Sequence, residues 1–208
     1  LKQSFELRPY QKDAFCNFIT YFESRLRQKP TQTLFHMATG SGKTLIMAGL
    51  MLYLYKQGYR NFLFFVHLSN IVKKTKENFL NPASPKYLFA EEINIGGERI
   101  KVKEVSNFQD VDENAINICF STIQGLHSDM FSDKENALSF DDFAGRKIVM
   151  ISDEAHHLNA STRNLTFAEE EENRTWEYTV SRLFQSNPEN VLLEFTATCD
   201  TENREIKA

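Results

Sequence analysis

Five short apolar runs constrain this chain more than any other feature: Thr33–Met37, Phe62–Val66, Ile116–Phe120, Ile148–Ile151 and Val191–Phe195. Each is continuous. A strand with one wet face alternates apolar and polar residues, whereas a strand buried on both faces is apolar throughout, so these runs predict a parallel sheet covered on both sides. The segments between them carry helix signals. They predict helices over Pro9–Gln28, with Pro at the first helical position, Lys43–Gln57, closed by Gly58, Ser69–Phe79, Thr122–Met130 and about Ala168–Gln185. Strands alternating with helices make βαβ units, and the expected fold is α/β: a mostly parallel, doubly wound sheet with helices on both faces.

Two segments interrupt the alternation. "EEINIGGERIKVKEV", Glu91–Val105, sets Gly96-Gly97 between two alternating runs and predicts a β-hairpin insertion. The Glu169–Glu172 run reads as a solvated helix start or a loop rather than a metal or partner site. At 208 residues the chain can bury a substantial core, and its 18 phenylalanines lie mostly in the apolar runs. It opens on Leu1 rather than Met, the expectation for a fragment. No apolar stretch reaches the roughly 18 residues of a membrane span, so no membrane association and a cytoplasmic location are expected. Cys16, Cys119 and Cys199 form no C-x-x-C pair, which argues against a disulfide framework and a zinc site. A net charge of -4 announces no general affinity for nucleic acid, but leaves room for a local basic groove.

Chemistry concentrates at the strand ends. "FHMATGSGKT", Phe35–Thr44, follows a strand and opens a helix. Glycines let the backbone N–H groups of Thr39, Gly40, Ser41 and Gly42 curl toward a phosphate. The helix N-terminus adds partial positive charge, Lys43 adds a full one, and the Thr44 hydroxyl can ligate Mg²⁺. Met37 stands where the usual G-x-x-x-x-G-K-[ST] pattern has its first glycine. That position belongs to the preceding strand rather than to the phosphate cradle, so the geometry does not demand glycine there. The bland reading is a glycine-rich turn with an incidental lysine.

The second concentration is "IVMISDEAHH", Ile148–His157. A carboxylate at the C-terminal end of a buried strand sits at the ligand edge of the sheet. Asp153 there can hold a Mg²⁺-bound water, and Glu154 can orient and deprotonate an attacking water. The rival is a metal site of Asp153, His156 and His157, which lacks the H-E-x-x-H spacing that puts two histidines on one helix face.

With these residues in view, "MATGSGKT", "SDEAHH" and "FTAT" (Phe195–Thr198) resemble motifs I, II and III of superfamily 2 helicases and translocases, in which motif I commonly begins with Ala. "LRPYQKDA", Leu7–Ala14, is similar to the upstream adenine motif of that superfamily. The resemblance implies that Gln11 reads the adenine edge while Arg8 packs on the ring. "FFVHLSNIVKKT" and "FSTIQGL" occupy the places of motifs Ia and Ib, which implies nucleic-acid backbone contacts at Ser69, Asn70, Thr122 and Gln124. His67 stands where many members have proline, and "TATCD" replaces the more usual TAT followed by proline. Within the superfamily the ensemble looks most like the restriction subunit of Type III restriction–modification enzymes.

The resemblance implies a RecA-like P-loop NTPase domain over residues 1–208, the first of two motor lobes. It implies ATP and Mg²⁺ as cofactors, held by Arg8, Gln11, Thr39–Thr44 and Asp153, with Lys43, Asp153 and Glu154 catalytic. His156, Thr196, Ala197 and Thr198 would couple nucleotide state to DNA and to the second RecA-like domain, whose arginines hydrolysis requires. DNA, most readily double-stranded, and a modification methyltransferase subunit are the implied partners. Two other readings remain at this point: a nucleotide-binding regulatory module, which would have no use for Glu154, and a small-molecule P-loop kinase, which would leave Gln11 and the "SDEAHH" segment unexplained.

Overall fold

The computed structural model describes residues 1–2, 4–109, 111–131, 138–143, 145–153 and 167–197. It contains strands β1 (Thr31–His36), β2 (Asn61–Val66), β3 (Ile93–Ile95), β4 (Glu98–Glu104), β5 (Ala115–Thr122), β6 (Ile148–Asp153) and β7 (Val191–Thr196). The helices are α1 (Pro9–Glu23), α2 (Lys43–Lys56), α3 (Ser69–Leu80), α4 (Ile123–Met130), α5 (Phe140–Phe143) and α6 (Phe167–Gln185). The strands form one sheet in the order β1-β7-β6-β2-β5-β4-β3, parallel except for the β3–β4 pair. Each of the five predicted strands is present; four are extended by one to three residues, and β1 starts two residues before the predicted Thr33 and ends one before Met37. The Gly96-Gly97 hairpin is also present, but it is not a separate excursion: β4 pairs in parallel with β5 and so widens the sheet.

Continuous apolar runs are needed because each strand serves two cores. Along β2, Phe62, Phe64 and Val66 join the cluster under α1, α2 and α3, while Leu63 and Phe65 join the cluster under α4, α5 and α6. The chain crosses the first face on its way from β1 to β2 and β5, then returns across the second to β6 and β7. β7 thereby ends up between β1 and β6, and the Phe35 and Phe195 rings stack there at 4.6 Å and 9°.

One buried side chain ties this arrangement together. Asn190 is fully buried; its Oδ1 accepts the Ile148 N–H of β6 at 2.8 Å, and its Nδ2 donates to the Leu183 and Phe184 carbonyls at the end of α6. Its backbone carbonyl accepts the Thr31 N–H at the start of β1 at 2.9 Å.

The first helix is shorter than its sequence predicts, stopping at Glu23 instead of Gln28. Ser24 turns to extended backbone and its hydroxyl accepts the Leu26 N–H at 3.1 Å, while the Tyr21 hydroxyl accepts the Gln28 N–H at 3.1 Å. Arg27 then lays its guanidinium over Phe22 and bonds Thr31 at 2.8 Å, bringing the chain round into β1. These tertiary contacts outweigh the helix propensity of "SRLRQ". α5 is a single turn that the sequence pattern does not reveal. No helix among the described residues is long and apolar enough to cross a membrane.

Among the described residues two carboxyls are buried, Asp142 on α5 and Glu194 on β7, and burial shifts the second. Glu194 is 8% exposed and accepts a bond from Gln32 Nε2 at 2.7 Å. Burial raises its pKa more than the Gln32 bond lowers it. The folded chain therefore keeps this proton to higher pH than the unfolded chain does. Stability falls as pH rises from the ordinary glutamate range through the raised value. Glu194→Gln should raise the melting temperature at pH 7, with the gain disappearing near about pH 3, where the carboxyl is protonated in both states. Asn190→Ala should cost on the order of 3 kcal/mol in urea unfolding, because it strands the buried Ile148 N–H and two helix-end carbonyls.

Candidate functional site

Parallel strands place the loops that follow them on one edge, the edge where α/β sheets take ligands. Across the sheet, that edge presents in order the loop after β1 (Met37–Gly42), Thr196 at the end of β7 with Ala197 after it, Asp153 at the end of β6, His67–Asn70 after β2, and Thr122 at the end of β5 with Ile123 and Gln124 after it. The sequence-predicted residues are thus gathered into two neighbouring groups, with the loop and Asp153 on one side and the α3 and α4 starts on the other. Phe35 and Asp153 both register with Phe195 on β7. With strands about 5 Å apart, the ends of β1 and β6 are separated by roughly 10 Å, a span that a phosphate and a hydrated cation can fill.

The loop is built by contacts from both sides. Met37 continues the β1 ladder, its N–H donating to the Thr196 carbonyl at 2.9 Å, so the position that lacks glycine is strand-like, as the sequence implies. Gly40 and Gly42 adopt φ of 76° and 88°, left-handed values that carry the chain from strand to helix within a few residues. Lys43 opens α2, is 9% exposed, and donates from Nζ to the Met37 carbonyl at 3.3 Å. Thr44 follows in the first turn. The buried Ser41 Oγ has no hydrogen-bond partner among protein atoms. Left-handed glycines at a helix start, a lysine folded back over the loop and an unsatisfied hydroxyl inside it suit a phosphate group with its cation.

Sequence spacing does not reveal what holds the loop down. Gln11 is 5% exposed; its Oε1 accepts the Arg8 N–H at 3.0 Å and its Nε2 donates to the Ser41 carbonyl at 2.8 Å. Tyr10, which sequence reasoning passes over, donates its hydroxyl to the same carbonyl at 3.0 Å. Gln11 therefore caps α1 and pins the loop after β1, with one N–H and one oxygen lone pair left on its amide. This reach is possible because α1 approaches α2 closely: a Cβ on Gly49 would stand 2.4 Å from the Phe15 ring. Beside the loop, a groove of about 790 Å³ opens between α1 and β1. Arg8 and Tyr10 stand on its wall next to Thr39–Ser41, and the Arg8 Nη1 lies 3.3 Å from the Tyr10 hydroxyl. Gln11 lies behind the loop.

At the other end of the edge, Ser69 and Asn70 are exposed at the start of α3, and Gln124 is exposed in the first turn of α4. Lys73 and Lys74, also exposed, follow within the next turn of α3. The predicted helix start at Thr122 is one residue early. Thr122 is the N-cap, its Oγ1 accepting the Gly125 N–H at 3.0 Å, which leaves its own O–H to donate elsewhere. Asp153 is partly exposed and Thr196 buried. Glu154, His156, His157, Thr198 and Cys199 lie outside the described residues. The Glu169–Glu172 run falls in the first turns of α6. Among the described residues no group of three or more His, Cys, Asp or Glu side chains could hold a metal ion.

Residues 4–201 match the family described as "Type III restriction enzyme, res subunit". The chain is 40% identical over 223 residues to the "Probable type III restriction-modification enzyme HindVIP Res subunit" of Haemophilus influenzae. That alignment takes in 95% of this chain and 43% of the relative, so the chain spans less than half the relative's length. Among solved structures, the UvsW helicase from bacteriophage T4 aligns over 97% of this chain and 56% of its own, at 17% identity and a TM-score of 0.47. A nuclease-deletion mutant of the Type ISP restriction-modification enzyme LlaGI, in complex with a DNA substrate mimic, aligns over 97% and 19% at the same identity and score.

The loop architecture yields two expected outcomes. Gly42→Ala forces a Cβ to within 2.5 Å of Gln11 Nε2 at a φ of 88°. It should cost about 1 kcal/mol or more of stability and speed amide exchange across residues 39–42. Gln11→Ala should speed exchange over the same amides and cost about 1 kcal/mol.

Proposed function

The chain belongs to the family of Type III restriction enzyme res subunits, and on that premise we propose that it is the ATP-binding motor domain of a DNA-dependent ATPase. One observation carries this reading: the loop headed by Lys43 and the Asp153 strand end flank a single intervening strand on the ligand edge of one sheet. A phosphate-binding loop alone would serve a kinase or a regulatory binder equally well. A carboxylate one strand away suits a cation-assisted phosphoryl-transfer site.

In this reading the amides of Thr39–Gly42 and the Lys43 ammonium hold the phosphate oxygens, and the Thr44 hydroxyl and Asp153 carboxylate hold Mg²⁺ or its waters. The metal ion, when bound, neutralises charge on the phosphate oxygens. Glu154 orients and deprotonates the hydrolytic water. Arg8 and Tyr10 line the groove that takes the base. Gln11 keeps the loop in its binding form, and its spare N–H and lone pair match the donor and acceptor on the adenine edge. His156 and Thr196–Thr198 communicate with the DNA side. Ser69, Asn70, Thr122 and Gln124, with Lys73 and Lys74 behind them, contact the nucleic-acid backbone, for which exposed hydroxyls, amides and ammonium groups are the suitable chemistry.

Hydrolysis also needs groups absent from these residues. A second RecA-like domain of the whole protein would close over the nucleotide and contribute arginines, and an arginine finger alone is worth on the order of 10³–10⁵ in rate. The relative's name joins restriction with modification, which supports a methyltransferase subunit as partner.

The decisive experiment is titration of ATP into Lys43→Ala by calorimetry. The variant should fold as the parent does, and its ATP affinity should fall about tenfold or more, the worth of one charge-assisted contact. Unchanged affinity would remove the phosphate site. The same titration with GTP should show weaker binding to the parent chain, by about tenfold, and a narrower margin in Gln11→Ala.

A further inference from the structure

α6 touches one half of the ligand edge, at His67 and α4, through side chains that belong to none of the motifs, while its C-terminal end is anchored at the opposite edge of the sheet, where β1 and β6 start. Trp176 presents its ring to the His67 imidazole, centroids 5.4 Å apart and planes at 62°. His67 is the first residue after β2, two positions ahead of Ser69, and its Nδ1 stands 3.5 Å from Gln124 Nε2 on α4. Three residues along α6 from Trp176, the buried Thr179 hydroxyl donates to the Thr175 carbonyl at 3.1 Å and so accepts from His127 Nδ1 of α4 at 2.8 Å. At its C-terminal end α6 is held by Asn190 and runs into β7, whose Thr196 carbonyl receives the Met37 N–H of the phosphate loop. One helix is thus bonded at its C-terminal end to the residue that precedes β7, the strand whose far end bonds the loop after β1, and at mid-length it meets His67 by ring contact and α4 by a hydrogen bond.

We infer that Trp176 is a positioning residue: through His67 it makes the Ser69–Asn70 and Thr122–Gln124 contacts move with α6, so that nucleotide state sets the grip on DNA. The inference rests on the proposed function. Trp176 packs on one side against the cluster of Val180 and Leu183 and on the other touches a polar ring in a loop whose next residue, Leu68, is 49% exposed, so it joins the core to that loop. A broad rigid ring suits this role because it transmits displacement with few rotatable bonds.

The chain has a single tryptophan, so its fluorescence reports this contact alone. In the unmutated chain, saturating Mg-ATP should alter Trp176 emission and change the affinity for a labelled DNA oligonucleotide by about fivefold or more. Trp176→Ala should bring the ratio of DNA affinities with and without ATP to about one, while its ATP affinity by calorimetry stays within about twofold of the parent. Trp176→Phe should recover most of the ratio, which a loss of folding would not permit. If Trp176→Ala melts early, His67→Ala removes the other ring of the pair and should abolish the ratio in its place. A parental ratio in these alanine variants overturns the inference, as does emission that ignores ATP which calorimetry shows to be bound. No heat from ATP in the unmutated chain overturns the nucleotide reading, and the inference falls with it.

Discussion

The insertion of β7 between β1 and β6 is the constraint on which the rest of the molecule depends. Three parallel strands must be in register for the phosphate loop and Asp153 to share an edge, and that register is set by apolar contact and backbone bonding together. Phe35 and Phe195 stack across β1 and β7, and Asn190 fixes the start of β6 and the end of α6 with its buried side chain and the start of β1 with its backbone carbonyl. A slip by one residue would exchange the two faces of β7, sending Phe195 toward α6 and Glu194 into the opposite core. The buried Glu194 is the liability of this arrangement, stabilised only in part by Gln32.

Holding the loop is a separate problem from placing it. Left-handed backbone at Gly40 and Gly42 is strained for other residues and gives the loop conformational freedom that must be removed before it can bind tightly. α1 supplies the restraint. Gly49 admits Phe15, the two helices come close, and Gln11 and Tyr10 both reach the Ser41 carbonyl. In the proposed reading, the residue that recognises the base is therefore also the residue that restrains the loop, so affinity and base preference should respond together when it changes.

Strands and helices were legible because their signals are local. The run Phe62–Val66 could only be a strand buried on both faces, and Gly42-Lys43-Thr44 after an apolar run could only open a helix. Helix ends were less legible, since the stop at Glu23 depends on Tyr21, Ser24 and Arg27 meeting Gln28, Leu26 and Thr31. α5 left no trace, because four residues are too few for a period to show.

By itself the sequence determined the fold class, the strand-turn-helix order over Phe35–Thr44 and the buried strand that ends at Asp153, since each follows from the order of residue types along a short segment. Only the tertiary structure decided the strand order, the place of the Gly96-Gly97 hairpin within the sheet, and the partners of Gln11, Tyr10, Trp176 and Asn190. The reason is physical. These choices join residues tens to more than a hundred positions apart, and such pairings are selected by the simultaneous filling of two cores, a quantity that no single stretch of sequence contains.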